Sequence, residues 1–240
     1  FTAGPGMKLI SADYSQVELR VLAHYSQDPT LLSAFRNGED IHTRTAALLF
    51  DVDPAQIGPD QRRRAKTINF GLIYGMGARK LGQDLGIPLS EARMFIERYF
   101  ARFAHIKEFF DSVEQEARKN GYVTTLSGRR RPLPDMLSQS GQARALAERQ
   151  AVNTLIQGSA ADLIKLAMLS VYNDGELRRM KARMLLQIHD ELIVEAPEEN
   201  AEAAASRLAS LMTDTSAWGL DLHVPLVADA GVGRNWGEAH

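Results

Sequence analysis

The chain has 240 residues, 45% hydrophobic and 24% charged, enough for one substantial core or two modest lobes and ordinary for a soluble globular protein. The absence of cysteine excludes disulfides and Cys-ligated zinc, and a formal net charge of −2 speaks against a protein that coats DNA over its whole surface. No apolar run approaches the roughly 18 residues of a membrane span, and residues 1–8 have neither a basic nor an apolar leader region, so a soluble, non-exported chain without a membrane partner is expected.

In chain order, residues 9–12 are short and apolar, and Val17, Leu19, Val21 and Leu22 mix with Glu18 and Arg20 between residues 16 and 24. A strand feeding a helix is expected there, with Asp13 at the strand's C-terminal end. Segments 30–50 and 60–74 read as helices; Gly75 to Gly77 end the second, and Gly86 to Pro88 break the chain again. Ser90 is the expected cap of a long helical region in which Phe95, Tyr99, Phe103, Ile106 and Phe110 recur at three- and four-residue steps, a stripe that belongs in a core. Residues 122–126 followed by Ser127, Gly128 and Arg129 predict a short hairpin with a basic far side, and 141–172 predict a long helix. Segments 184–188 and 192–196 predict an antiparallel hairpin presenting Asp190 at its tip. An Ala-rich amphipathic helix is predicted over 198–212, and a last strand over 222–228 that Pro225 confines to an edge or irregular position. Strands at both ends with helices between them predict an α/β (α+β) fold, an antiparallel sheet with an inserted helical subdomain.

Charge is segregated along the chain. Arg62, Arg63, Arg64 and Lys66 form one basic cluster and Arg129 to Arg131 another, while Glu195, Glu198, Glu199 and Glu202 gather elsewhere. One surface facing phosphates and another facing water would produce this pattern.

Asp13 and Asp190 lie at the ends of apolar strand-like runs. Carboxylates converging from separate strands suit two Mg2+ ions roughly 3.5–4 Å apart, with Mn2+ as an alternative, an arrangement that activates a hydroxyl oxygen and neutralises charge on a transferred phosphate. An octahedral Mg2+ keeps several non-protein ligands, so two aspartates and one backbone carbonyl, for which Tyr14 is the candidate, suffice once phosphates arrive. A single Asp at a strand end is more simply a turn or helix cap. For Asp190 that alternative is weaker, because a plain turn would prefer Gly or Asn. Glu191 reads as an auxiliary acid. Arg62, Lys66, Phe70 and Tyr74 stand four residues apart, so on a helix each step overshoots a turn by about 40° and the four line one slowly winding stripe. Cations come first, near a helix N-terminus that favours phosphate, and rings come last, where a base or sugar would lie. Lys66 suits either a phosphate clamp or a general acid toward a leaving pyrophosphate. Arg149, Asn153 and Gln157 share one helix face by the same spacing.

Segments 11–20 (SADYSQVELR), 62–75 (RRRAKTINFGLIYG) and 187–191 (QIHDE) closely resemble motifs A, B and C of the family A DNA polymerases, the bacterial DNA polymerase I type, in the right order and across nearly the whole chain. The resemblance implies a template-directed DNA polymerase that adds a nucleotide from a dNTP to a primer 3′-hydroxyl and releases pyrophosphate. It implies a palm in two parts, 1–30 and 144–240, around helical fingers at 31–143. Its partners would be primer-template DNA and dNTPs, and it would be a monomer in the bacterial cytoplasm, associated with the nucleoid. It gives the triphosphate to Arg62 and Lys66, the sugar and base to Phe70, the templating position to Tyr74, exclusion of a ribose 2′-hydroxyl to Glu18, and supporting nucleotide contacts to Gln16 and His42. A helix-surface role is a nearly equal reading of His42. Arg149, Asn153, Gln157 and His189 would meet the template-primer minor groove, whose shared acceptors let Gln and Arg test base-pair shape without reading sequence. The family's thumb and exonuclease domains are absent from this sequence, so the chemistry is expected without a tight grip on duplex, in a weakly active fragment. Two other classes stay open: an impaired DNA- or nucleotide-binding remnant of the same fold, and a two-metal phosphohydrolase, for which the stripe would have no use.

Overall fold

The short apolar run at residues 9–12 and the cap and breaker residues that follow divide the chain into elements, and the computed structural model describes all of residues 1–240. The elements are β1 (Met7–Tyr14), α1 (Val17–Ser26), α2 (Pro29–Arg36), α3 (Ile41–Phe50), α4 (Pro59–Ile73), α5 (Ala78–Leu85), α6 (Leu89–Arg102), α7 (Ala104–Asn120), β2 (Tyr122–Thr124), β3 (Arg130–Pro132), α8 (Gly141–Asn173), α9 (Gly175–Arg179), β4 (Arg183–Ile188), β5 (Glu191–Pro197), α10 (Ala201–Thr213), β6 (Ala228–Gly233) and α11 (Trp236–Ala239). They form two compact units, residues 1–21 with 159–240, and residues 22–158. These limits differ from divisions after residues 30 and 143 because each lies within an unbroken helix, α1 or α8, rather than in a turn that composition could mark.

The first unit is built on a four-stranded antiparallel sheet in the order β4-β5-β1-β6. Successive β1 residues point to opposite faces. Ile10, Ala12 and Tyr14 are buried on the α10 side, where Ala204, Leu208 and Met212 are also buried and the Tyr14 phenol donates to the Met212 carbonyl. Leu9, Ser11 and Asp13 take the other face, where Leu9 packs with Ile193 and Ala239 beside Trp236. Two glycines let α11 lie this close: a Cβ at Gly231 would sit 2.3 Å from the Ala239 carbonyl oxygen, and one at Gly233 would sit 2.6 Å from Glu238 Cβ.

The second unit is helical apart from the β2–β3 hairpin. Phe95, Tyr99, Phe103 and Ile106 are buried, with the Tyr99 and Phe103 rings 4.8 Å apart, so the aromatic stripe is core up to Phe110, which is half-buried. The hairpin turns at Gly128 (φ +85°); Arg131 donates to the Thr154 hydroxyl at 2.9 Å and Arg129 to the Gly158 carbonyl at 2.8 Å, which anchors the basic side on α8.

Four expectations change. Segment 30–50 is two helices, because Gly38 (φ +67°) breaks the chain and Asp40 caps α3. Ser90 lies inside α6, which starts at Leu89 after Pro88, and the region divides again at the buried Phe103. Residues 222–228 are not a strand before Ala228: the carbonyls of Pro225 and Val227 instead accept from Arg20 Nη1 at 2.7 Å and from the Ser15 N–H at 2.9 Å. Helix α8 is long and apolar enough, by length and composition, to cross a membrane, with mean hydropathy 1.2 over 18 residues. Its buried residues recur at core spacing, however: Ala151, Val152, Leu155 and Ile156 in one unit, and Leu163, Ile164, Ala167 and Val171 in the other.

Candidate active site

Sheet register brings the predicted carboxylates together. Asp13, next to last in β1, stands directly opposite Glu191, the first residue of β5. His189 and Asp190 make the turn between β4 and β5, and the Asp190 carbonyl accepts the Tyr14 N–H at 3.3 Å, tying that turn to the residue after Asp13. Both flanking turns hold a non-glycine residue in the left-handed region, Gln16 at φ +57° and His189 at φ +52°. Such positions cost on the order of 1 kcal/mol or more and gather at functional sites. Glu18 is half-buried in the first turn of α1.

Like charges crowd Asp13. Burial first, then Asp190 and Glu191, push its carboxyl up to about 6 against a pull downward from His240 and the Tyr14 backbone. Its Oδ1 is buried and has no hydrogen-bond partner. A buried oxygen without a donor, beside a second carboxylate, fits a divalent cation. Glu191 is otherwise engaged: it is buried, and its Oε1 accepts from the Ser11 hydroxyl and from Trp236 Nε1 at 2.8 Å, with His240 Nδ1 3.5 Å away. No group of three or more His, Asp or Glu side chains gathers as a metal cage, so a cation here would depend on the two aspartates and on oxygens from elsewhere. With its phenol turned to Met212, Tyr14 could contribute only its backbone carbonyl. A cleft of about 390 Å³ opens beside Asp13, lined in part by Ser11, Ser15, Asp229, Gly231 and His240. Ser11 was discoverable as the residue two before Asp13 on the same strand face; nothing local marked Trp236 or His240.

In the other unit, α4 opens on Pro59 with the Gln61 side chain returning to the Gly58 N–H at 3.0 Å. Asp60 in its first turn takes Arg63 and Arg64. Its buried face is Ala65, Ile68, Asn69, Leu72 and Ile73, whereas Arg62 is partly exposed, Lys66 exposed, and Phe70 and Tyr74 only half-buried. The two rings therefore stay out of the core and share the cations' stripe. Tyr74 caps the helix and Gly75 (φ +71°) closes it: the Gly75 N–H donates to the Leu72 carbonyl at 3.0 Å and the Met76 N–H to Gly71 at 2.8 Å, a Schellman closure.

His42 is 2% exposed, so it is not a helix-surface residue. Asn69 Oδ1 accepts the Thr45 hydroxyl at 3.1 Å, which leaves its Nδ2 to donate to His42 Nδ1 at 3.0 Å and assigns the ring proton to Nε2. Burial, with Arg62 and Lys66 nearby and only Asp40 opposing, lowers its pKa to about 4. It is a neutral donor at neutral pH, with its ring 5.6 Å from that of Phe70. On α8, Arg149 and Gln157 are exposed and Asn153 is half-buried with a donor-less Oδ1. His189 is exposed beside Asp190 in the first unit. The expected residues thus form two sets: Asp13, Tyr14, Gln16, Glu18, His189, Asp190 and Glu191 in one unit, and His42, Arg62, Lys66, Phe70, Tyr74, Arg149, Asn153 and Gln157 in the other.

Residues 1–238 match the family model DNA polymerase family A. The chain is 49% identical over 239 residues to DNA polymerase I, thermostable, of Thermus filiformis, covering 100% of this chain and 28% of that protein. It is 48% identical over 235 residues to DNA polymerase I of Geobacillus stearothermophilus, covering 98% of this chain and 26% of the relative. The chain therefore spans little more than a quarter of the length of these relatives. Among solved structures, the POL domain of Pol1 from M. smegmatis, in complex with DNA primer-template and dNTP, superposes with a TM-score of 0.93 at 41% identity, covering 100% of this chain and 42% of that one. With nearly every residue inside the family match and the expected motifs in order, the chain belongs to DNA polymerase family A.

Proposed function

We propose that this chain carries the nucleotidyl-transfer centre of a template-directed DNA polymerase, adding a dNTP to a primer 3′-hydroxyl with release of pyrophosphate. The observation that carries the reading is the buried, donor-less oxygen of Asp13 beside Asp190, in a chain of this family. Mg2+ or Mn2+ held by Asp13 and Asp190, with the Tyr14 carbonyl, would supply charge neutralisation and activation of the attacking hydroxyl.

The chain's own residues do the rest. Arg62 and Lys66 hold the triphosphate electrostatically, Lys66 as a clamp or as the proton donor to departing pyrophosphate. His42, neutral and protonated on Nε2, donates a hydrogen bond without adding charge. Phe70 packs on the sugar and base, and Tyr74 stands at the templating position. Glu18 excludes a ribose 2′-hydroxyl, and Gln16 supports the nucleotide. Arg149, Asn153, Gln157 and His189 meet the minor groove of primer-template DNA, a partner the mycobacterial relative is named in complex with. The sheet-bearing unit acts as palm and the helical one as fingers. The protein works as a monomer in the bacterial cytoplasm, and residues 1–240 by themselves extend a primer weakly.

Primer extension with Mg2+ tests this. Pyrophosphate should be released, Asp13→Ala and Asp190→Ala should abolish extension, and Arg62→Ala and Lys66→Ala should raise KM for dNTP. Release of free mononucleotide, or extension indifferent to Asp13→Ala, would overturn the reading.

A further inference from the structure

Asp40 is used twice. Its Oδ1 caps α3 by accepting the Thr43 N–H at 2.7 Å, and its Oδ2 accepts both Nε (3.2 Å) and Nη2 (2.6 Å) of Arg62. The cap fixes the carboxylate in the backbone frame of α3, so the guanidinium it grips is fixed as well. A guanidinium has five N–H donors in a rigid fork. Asp40 takes two of them along the Nε edge, which leaves both hydrogens of Nη1 and the second on Nη2.

A long side chain that meets a phosphate from a free stem loses rotamer freedom on binding; one already held loses less. Against this, the Asp40 charge repels an incoming anion. Despite partial burial, hydrogen bonds from Arg62 and Thr43 hold the Asp40 carboxyl down at about 2, so that charge is permanent. Arg62 and Lys66 act on the same buried His42 as Asp40 does, while Glu39, next to Asp40, faces Arg44 at 3.8 Å and leaves the balance of charge unchanged. With two cations beside one carboxylate, the net charge of the cluster stays positive, and pre-organisation decides.

We propose that Asp40 is a positioning residue for nucleotide binding, holding Arg62 by its Nε edge so that the remaining donors serve a nucleoside triphosphate, an inference that rests on Arg62 being a phosphate ligand. No other residue anchors Arg62 in this way: Arg63 and Arg64, its neighbours on α4, pair with Asp60 instead.

The test is equilibrium binding of dATP with Mg2+ to residues 1–240 by calorimetry, for the unaltered chain, Asp40→Asn, Arg62→Ala and the double variant. Asn caps a helix as well as Asp does, so Asp40→Asn removes the ion pair and keeps the cap; Asp40→Ser is a second capping variant should the first fail to fold. Asp40→Asn should weaken dATP binding by about 3- to 10-fold, Arg62→Ala by at least as much, and the pair together by no more than Arg62→Ala alone. In primer extension, KM for dNTP should rise while kcat holds. Unchanged or tighter binding in both capping variants, or the same loss in the Arg62→Ala background, overturns the proposal while Arg62 stands as a ligand. Indifference of dATP binding to Arg62→Ala, or no binding by the unaltered chain, overturns that ligand reading and the proposal with it.

Discussion

Asp13 and Glu191 face each other across neighbouring antiparallel strands, two acids on one sheet face with Asp190 at the adjoining turn. Because the folded pKa of Asp13, about 6, exceeds the ordinary aspartate value of 3.8, the folded state takes up a proton between those limits. Stability from this group therefore declines as pH rises from about 4 to 6, and the cost of burying this charge beside two other acids is fully present above. We expect Asp13→Asn to raise the thermal midpoint by a few degrees at pH 7.5, with the gain shrinking toward pH 4. The same variant should lose extension by about a thousandfold. A lowered midpoint at pH 7.5 would contradict a charge made costly by burial and by neighbouring acids.

Glu191→Gln keeps an Oε1 acceptor for Ser11 and Trp236 but removes the charge. The acid limb of the pH–rate profile for extension should then shift to lower pH as Asp13 is relieved. Glu191→Ala should instead cost about 1–3 kcal/mol in urea unfolding, because the buried Ser11 hydroxyl and the half-buried Trp236 N–H lose their partner.

His42 titrates the other way. Its pKa falls from 6.5 to about 4 on folding, so the stability it contributes is complete above 6.5 and is lost as pH drops through that window to 4. We expect the thermal midpoint of the unaltered chain to fall more between pH 7 and pH 4.5 than that of His42→Gln. Parallel losses would show that the ring is not held neutral.

At Gly75, φ is +71° and a Cβ would lie 2.8 Å from Arg149 Cγ. Gly75→Ala should destabilise by about 1–2 kcal/mol from the left-handed backbone alone and disturb the Arg149 stem. Gly77→Ala is the control, since Gly77 has φ −81° and open space around the added carbon. Equal midpoints for the two variants would remove the strain argument.

Motif order and spacing made much of the candidate site legible. Asp13 at a strand end, Asp190 between two apolar runs and the four-residue stripe all use patterns that close over a few residues. The breaks at Gly38 and Phe103 differ in kind. Gly38 and the Asp40 cap were local signals available to be read, whereas Phe103 ends α6 where it is fully buried. Strand β6, Ala-Asp-Ala-Gly-Val-Gly, carries little strand propensity; it pairs because β1 offers an edge and its glycines admit α11.

Taken alone, the order of residues carried the family resemblance and pointed to the two acids and the stripe of cations and rings as candidates, because motifs, apolar runs, caps and helical spacing are set by near neighbours. Tertiary structure decided that Glu191 stands opposite Asp13 and is held by Ser11, 180 residues earlier, and by Trp236. It also decided that His42 is buried and neutral, that Asp13 keeps an oxygen without a donor, and that Asp40 grips Arg62. Register, burial and charge proximity are sums over segments far apart in the chain, and no local pattern contains them.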